Sequence, residues 1–507
     1  MEKIKFEIVY FGTQTDCSSI SGKESFEFDG TENDLMRVIG KYTYDIFTNN
    51  ENIKKINFRA VLSDSNAFSF SYAKRGNWTD KKGLKHSSMH ITSTDYNSCY
   101  PLSKNKGKYK PRDLRCINSF GNNYKKYLID VEGNDLVARY GSIDVPADLC
   151  KTVHYDSYMY WLLYYEKLSH GYVDMSGVLK DTVLVTNDNV NMSSDKSPEN
   201  ANEELYKLLY NFSKDVVETN LVNEVVTRRQ TEKARTVFDE LKTKKTVKGF
   251  NTCLQKLMII SPRKRNPLAG DTVSQYLATD KSDFGDIIEF EETLILSMET
   301  LVSDKDIKEK RNEENNLPSF KALNIDVFEA NETQVEEVKK YLGSYASRIK
   351  KVYRIKPLEQ EKRFSKYCKE NNITTFKKFW HGSVNANWFS IVENSLTIPK
   401  RATNGRMFGD GIYFAPSADK SFGYTSYYGS RWANGRSNLA IMGLYTTAYG
   451  NPYNPQGYGS QRLNKESLKT KGYDCCHAKS TDTGLRADEV IFYDTNAVVL
   501  NYIVLFN

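Results

Sequence analysis

A chain of 507 residues is too long for one ordinary domain, and three or four are expected. Its net charge of +7 is modest for that length, so a nucleic-acid partner is permitted but not demanded. Eight scattered cysteines exclude a disulfide scaffold, no apolar run reaches membrane-spanning length, and the polar start Met1-Glu2-Lys3 is no secretory leader; an intracellular, reducing setting without a membrane partner is the expectation.

The patterning predicts a multidomain α+β chain. Residues 1–100 form a β-rich N-terminal domain, with strands expected over 3–11, 52–62 and 67–73. Lys74-Arg75-Gly76-Asn77-Trp78 predicts a basic turn with one aromatic. It is either a nucleic-acid surface, with lysines on phosphates and Trp78 stacked on a base, or a solvated loop anchored by its tryptophan. Residues 101–117, with Lys104, Lys106, Lys108, Lys110, Arg112 and Arg115, predict a basic linker. Residues 118–186 predict a small module. A strand over 124–131 turns at Glu132-Gly133-Asn134-Asp135 into a strand over 136–140, and Tyr158, Trp161, Leu162, Tyr165 and Leu168 give helical spacing within 153–168. Residues 187–202 are a polar linker. Residues 203–316 are helical in pattern, broken by Ser261-Pro262-Arg263-Lys264-Arg265, with a helix over 287–302 and a charged exposed linker from 304.

Chemistry concentrates between residues 379 and 494. His381 precedes Gly382-Ser383, which places two ring nitrogens beside an open backbone. Gly409 and Gly411 flank a turn into a short strand that carries Tyr413, and Tyr424 follows Lys420-Ser421-Phe422-Gly423. Two tyrosines and a histidine suit a flat aromatic ligand with ribose hydroxyls. Glu489 opens an apolar strand, where a carboxylate can steady a growing positive charge or orient a hydroxyl. Arg401, Arg406 and Arg431 are either pyrophosphate contacts or solvated arginines. Cys475-Cys476-His477 lacks a second cysteine pair nearby, so no metal is expected. Residues 449–470, rich in Gly, Pro and Tyr, predict a functional loop suited to a lid.

Four blocks carry a resemblance: Phe379-Trp380-His381-Gly382-Ser383, Phe408-Gly409-Asp410-Gly411-Ile412-Tyr413-Phe414-Ala415, Lys420-Ser421-Phe422-Gly423-Tyr424 and Asp488-Glu489-Val490-Ile491-Phe492-Tyr493. Over about residues 322–507 the chain resembles the catalytic domain of the poly(ADP-ribose) polymerase (PARP) family, the diphtheria-toxin-like ADP-ribosyltransferases. The resemblance implies a mixed α/β ADP-ribosyltransferase fold over 317–507 that uses NAD+ as substrate. It implies a His381–Tyr413–Glu489 catalytic set, with His381, Gly382, Ser383, Tyr413, Ser421 and Tyr424 binding NAD+. The Tyr140-Gly141-Ser142 and Lys167-Leu168-Ser169-His170-Gly171-Tyr172 segments make the small module similar to the WGR domain found beside such catalytic domains. That likeness implies DNA contact through Tyr140 and Arg139, although Ser142 stands where the signature has arginine. The position of residues 203–316 implies a helical regulatory-type region. Nuclear location (nucleoid or cytoplasm outside eukaryotes) and automodification or modification of protein acceptors are implied as well. The rival readings are mono-ADP-ribosylation of protein or nucleic-acid ends, and a non-catalytic NAD- or ADP-ribose-binding scaffold.

Overall fold

The computed structural model describes residues 3–50, 52–62, 65–79, 85–96, 107–119, 122–132, 135–178, 182–183, 198–222, 226–265, 273–313, 318–398, 407–427, 437–457 and 463–507. Its contacts divide the chain into two units, Met1–Lys180 with Met258–Leu277, and Asp181–Leu257 with Ala278–Asn507.

Among the described residues, the first unit holds two five-stranded antiparallel sheets. The first is built from β1 (Ile4–Gln14), β2 (Ser19–Phe28), β3 (Ile53–Leu62), β4 (Ser65–Thr79) and β5 (Lys85–Tyr96) in the order β2-β1-β3-β4-β5. The second uses β6 (Arg112–Asn118), β7 (Asn123–Glu132), β8 (Asp135–Ser142), β9 (Lys151–Tyr155) and β10 (Val173–Asp174) in the order β10-β6-β7-β8-β9. Two helices, α1 (Glu32–Asn49) and α2 (Met159–Ser169), pack between and against them within one hydrophobic core.

Helix α1 lies in a stretch where no helix was expected. The Thr31 side chain caps it by accepting from the Asp34 N–H, and Leu35, Met36, Ile39, Thr43 and Phe47 form its buried stripe. Gly40 lets α2 come close, because a Cβ there would stand 2.8 Å from the Tyr165 ring and 3.2 Å from Trp161. The buried Glu32 carboxylate accepts from Ser157 at 2.7 Å and Tyr109 at 2.8 Å, and Trp161 Nε1 donates to Asn33 at 2.8 Å. A buried carboxylate is tolerable only with such partners.

Three local expectations need correction. Lys74 to Trp78 are not a turn; the backbone continues as β4, with Trp78 opposite His86. Arg112 and Arg115 lie in strand β6 rather than a linker, because Leu114 and Cys116 are buried and Arg115 is neutralised by Asp113 at 2.9 Å. Residues 151–155 are strand β9 instead of the first helical turns: the Lys-Thr-Val-His-Tyr run is rich in residues that suit a pleated surface.

The second unit begins with β11 (Thr182–Val183), α3 (Pro198–Asn220), β12 (Val226–Thr227), α4 (Arg228–Leu241), α5 (Val247–Ile260, whose end falls in the first unit) and α6 (Phe284–Glu313). The charged stretch from 304 is not an exposed linker. It continues α6, with Ile307 buried and Lys308 paired to Asp304 at 3.1 Å one turn away.

After α6 come β13 (Ile325–Glu329), α7 (Glu332–Lys339), β14 (Ile349–Pro357), α8 (Leu358–Glu370), β15 (Phe376–Gly382), α9 (Trp388–Asn394) and β16 (Ile412–Phe414). The chain ends with α10 (Ala418–Phe422), β17 (Ala440–Ala448), β18 (Pro452–Tyr453), α11 (Lys465–Lys469), β19 (Cys475–Ala478), α12 (Ser480–Thr483), β20 (Glu489–Phe492) and β21 (Val498–Phe506). The strands make a sheet in the order β13-β14-β21-β17-β15 and a second one in the order β16-β20-β19-β18. Strand β21 is buried along its whole length, as its nearly continuous apolar run requires. The stretch 449–470 is not wholly irregular, since β18 and α11 lie in it.

Helix α3 shares the core of the C-terminal sheets. Leu205, Tyr206 and Leu209 are buried with Phe320, Ile355 and Phe389. The Tyr206 ring meets Phe320 and Phe389 edge-on at 5.2 Å, and its hydroxyl donates to Asp304 of α6 at 2.8 Å. Leu209→Ala is therefore expected to cost about 2–5 kcal/mol of the stability of this unit, seen as a lower urea midpoint that also lowers the melting point of the β-sheet core. Separate melting of helices and sheets would contradict a shared core.

Candidate active site

The site is assembled where the two C-terminal sheets meet. Trp380 and Ala415 exchange both backbone hydrogen bonds, at 2.9 and 3.0 Å, which ties the end of β15 to the strand after the Gly409–Gly411 turn. His381 follows at once. Its Nδ1 lies 3.0 Å from the Tyr413 carbonyl, which can only accept, so Nδ1 carries the hydrogen and Nε2 keeps its lone pair. Burial lowers the pKa of this imidazole to about 4, against a smaller opposing pull from the Tyr413 carbonyl.

Tyr413 pairs with Ile491 across β16 and β20. Glu489, two residues before Ile491, therefore shares the sheet face of Tyr413. The Tyr413 hydroxyl donates to the Gly409 carbonyl at 2.9 Å and accepts from the Phe408 N–H at 3.1 Å, so this tyrosine also braces the turn that precedes it. Its neighbour Tyr493 does the same from the adjacent strand, donating to the Phe408 carbonyl.

Helix α10 closes the other side. A Cβ on Gly382 would lie 1.9 Å from the Ser421 carbonyl oxygen, so only glycine allows this approach. The Ser421 hydroxyl donates to the Trp380 carbonyl at 3.0 Å and retains acceptor capacity. Ser383 accepts from the Asn387 amide at 3.1 Å. Tyr424 leaves 42% of its surface exposed. Burial of its phenol end, and then the Glu489 and Glu289 carboxylates, raise its pKa.

Lys420 was not assigned a role from the sequence. Its ammonium lies 2.7 Å from the Glu489 carboxylate and donates to the Ala487 carbonyl at 3.0 Å. Both side chains are largely sheltered, at 20% and 13% exposure, so the ion pair is screened far less than a surface pair. The only available signal was a cation next to the Ser-Phe-Gly-Tyr block; the pairing arises in three dimensions. A further chain supports the start of β20. Asp488 accepts from Ser480 N–H and Oγ at 2.8 and 2.7 Å, and its second oxygen lies 3.3 Å from His477 Nε2. His477 Nδ1 lies 2.7 Å from the Tyr449 hydroxyl.

His381, Gly382, Tyr413 and Glu489 thus lie on β15, β16 and β20, Ser421 on helix α10, and Ser383 and Tyr424 just beyond β15 and α10. Arg401, Arg406 and Arg431 lie outside the described residues. Cys475 and Cys476 are buried in β19, where desolvation raises both thiol pKa values, that of Cys476 to about 12.

The residues expected at DNA were Trp78, Arg139 and Tyr140. The Trp78 side chain lies outside the described residues. Arg139 pairs with Glu132 on its own hairpin. Tyr140 stacks on Tyr127 at 5.5 Å, with the Lys151 ammonium 5.6 Å from its ring centre. A cleft of about 660 Å³ opens here, lined by Tyr124, Tyr127, Tyr140, Lys125, Lys167 and Arg265 among others. Arg265, from the basic break, donates to Ser142 at 3.1 Å and pairs with Asp144 at 2.9 Å, so a guanidinium stands beside the serine after all.

Comparison with known proteins agrees with the C-terminal reading. Residues 328–507 match the family model for the poly(ADP-ribose) polymerase catalytic domain, so this region is PARP-like and of the ADP-ribosyltransferase type. A poly(ADP-ribose) polymerase-like protein, 100L, of Invertebrate iridescent virus 6 is 27% identical over 161 residues, covering 30% of this chain and 83% of the viral protein. Poly(ADP-ribose) polymerase 2-B of Oryza sativa subsp. japonica is 27% identical over 189 residues, covering 32% of this chain and only 30% of its own length. Protein mono-ADP-ribosyltransferase PARP8 of Mus musculus is 30% identical over 111 residues, covering 20% of this chain and 13% of its own length.

The depressed pKa of His381 has two consequences. Its Nε2 stays an acceptor until pH falls to about 4, so its hydrogen bond to a ligand hydroxyl should be constant between about pH 5 and about pH 8. The unfolded chain, by contrast, takes up a proton near the ordinary value of 6.5, so stability should fall as pH drops from there towards about 4. Calorimetric NAD+ titrations and melting curves across this range test both.

Proposed function

We propose that this protein is an NAD+-dependent ADP-ribosyltransferase that releases nicotinamide and modifies itself or other proteins. The observation that carries this reading is the Glu489 carboxylate, held by Lys420 at 2.7 Å on the sheet face of Tyr413, with His381 hydrogen-bonded to the Tyr413 backbone.

Each residue has a definite task in this reading. His381 Nε2 accepts a hydroxyl of the adenosine ribose, with Ser383 beside it. The Gly382 backbone and the Ser421 hydroxyl hold the nicotinamide carboxamide, and Tyr424 stacks on its ring. Tyr413 lines the nicotinamide ribose. The bond between that ribose and nicotinamide breaks with its electron pair leaving on the nicotinamide nitrogen, which neutralises the ring. Positive charge grows on the sugar. Glu489 steadies it, orients the ribose 2′-hydroxyl and helps draw the proton from the incoming acceptor oxygen. Lys420 holds the carboxylate in place until the donor arrives. All of these steps use the chain's own groups and NAD+.

A glutamate at position 489 permits polymer formation; the likeness to proteins named for both poly- and mono-transfer keeps single transfer as the second product. Labelled NAD+ incubated with the purified chain separates them: a ladder supports polymer, a single band mono-transfer, and no label overturns the enzyme reading in favour of a scaffold. Glu489→Gln should lower turnover by ~10²–10³ while leaving NAD+ binding nearly unchanged.

Two features support control. Glu289 of α6 comes near enough to Tyr424 to raise its pKa, which brings the helical region to the candidate nicotinamide side. The Tyr–Lys–Arg cleft suits a DNA end, with phosphate held by Lys125 and Arg265 and a base or sugar against Tyr140. Arg265→Ala should weaken binding of nicked DNA and reduce the slope of log affinity against log salt by about 1. Unchanged binding, or full activity without DNA, would remove the DNA role and leave the transferase intact.

A further inference from the structure

Strand β5 is an edge strand, and edge strands need their outward N–H and C=O groups covered. The C-terminal end of α2 covers them. The Met89 N–H donates to Ser169 Oγ at 3.1 Å, the Ile91 N–H to Glu166 Oε2 at 3.0 Å, and His170 Nε2 meets the Met89 carbonyl at 2.8 Å. This covering leaves three donor groups facing one another. A carbonyl only accepts, so His170 Nε2 carries the hydrogen and Nδ1 holds the lone pair. The His90 and His170 rings lie 4.4 Å apart between centroids. His90 Nδ1 is 4.0 Å from Glu166 Oε1, too long for a hydrogen bond but within the about 4.2 Å that two metal bonds of about 2.1 Å can span. One donor atom from each of the three residues falls within 4.8 Å of the others.

We propose that His90, Glu166 and His170 bind a divalent transition-metal ion of the zinc class, with water completing its coordination. Two imidazoles and one carboxylate are the donor set for such an ion. An imidazole whose other nitrogen is fixed on a backbone carbonyl is the arrangement metal-binding histidines adopt. The site also lies at the carbonyl end of an 11-residue helix, which favours a cation. Lys167 supplies one at present: its ammonium is 3.0 Å from Glu166 Oε1 and 4.6 Å from the Tyr127 ring centre. The ion takes over the Glu166 oxygen, and the ammonium keeps its place above Tyr127. The ion then joins β5 to α2 through side chains that already touch both.

Titration of the full chain with Co²⁺ tests this. One equivalent should give visible absorption bands without a near-ultraviolet thiolate band, displaceable by Zn²⁺, and should raise the melting temperature. His90→Gln, at a part-exposed position, should keep the far-ultraviolet dichroism and weaken Co²⁺ binding at least about tenfold. Absence of Co²⁺ binding, a thiolate band placing the ion on cysteine, or equal binding by the folded His90→Gln variant would each overturn the site.

Discussion

No side chain fits between the end of β15 and helix α10. A Cβ on Gly382 would collide with the Ser421 carbonyl at 1.9 Å, and most of the candidate site follows from that approach. It sets the Ser421 hydroxyl on the Trp380 carbonyl and leaves the backbone at Gly382 open to a ligand amide. It also places α10 so that Lys420, one residue earlier, reaches Glu489 on a strand almost seventy residues further along. Tyr424 then emerges from the end of the same short helix. The arrangement is held by backbone geometry, which is why the polar groups can be pre-aimed before a ligand enters.

The charges follow the same logic. A carboxylate that is to steady a cationic sugar must be held in place in a partly dry site, and the Lys420 ammonium at 2.7 Å holds it. A histidine that is to accept a ribose hydroxyl must remain neutral, and burial of His381 with its Nδ1 hydrogen committed to Tyr413 provides for that. Glu489 is thus held by a counter-ion, whereas His381 is kept neutral by desolvation.

The sequence marked those candidate-site residues that stand in local order. His381-Gly382, the Gly409–Gly411 turn and the carboxylate at the mouth of β20 could be found because each sits at a strand end marked by glycine or an apolar run. Lys420 could not, because its partner is chosen by the sheet register and by α10. Helix α1 was missed although Thr31 and Asp34 mark its start; its stripe mixes Thr43 and Gly40 with apolar residues and so weakens the periodic signal. Charge misled at the C-terminal end of the helical region and in β6. Lys, Asp and Glu at one-turn spacing in α6 looked like a solvated linker, and Asp113-Leu114-Arg115 hid a buried strand behind a local ion pair. Arg265 entered the Tyr–Lys cleft from more than a hundred residues away, which no motif spacing could show.

If the helices restrain the site, the shared core limits how they can let go. Helix α3 buries Leu205, Tyr206 and Leu209 with the catalytic sheet, and its Ser213 hydroxyl donates to the Ala386 carbonyl at 3.1 Å. The later part of α6 is tied to the same place, with Asp304 on Tyr206 and Ser303 on Glu393 of α9. Moving α3 or this part of α6 away as a rigid body would open the catalytic core. The early part of α6 is different: it carries Glu289 near Tyr424, and it is joined to α5 through the Phe250–Phe284 stack at 3.9 Å. Release is cheapest there, by local loosening of the α5–α6 connection that withdraws Glu289 from the tyrosine while α3 stays in the core. On that condition the helical region has two parts with different physics, one packed into the C-terminal core and the other able to loosen from it.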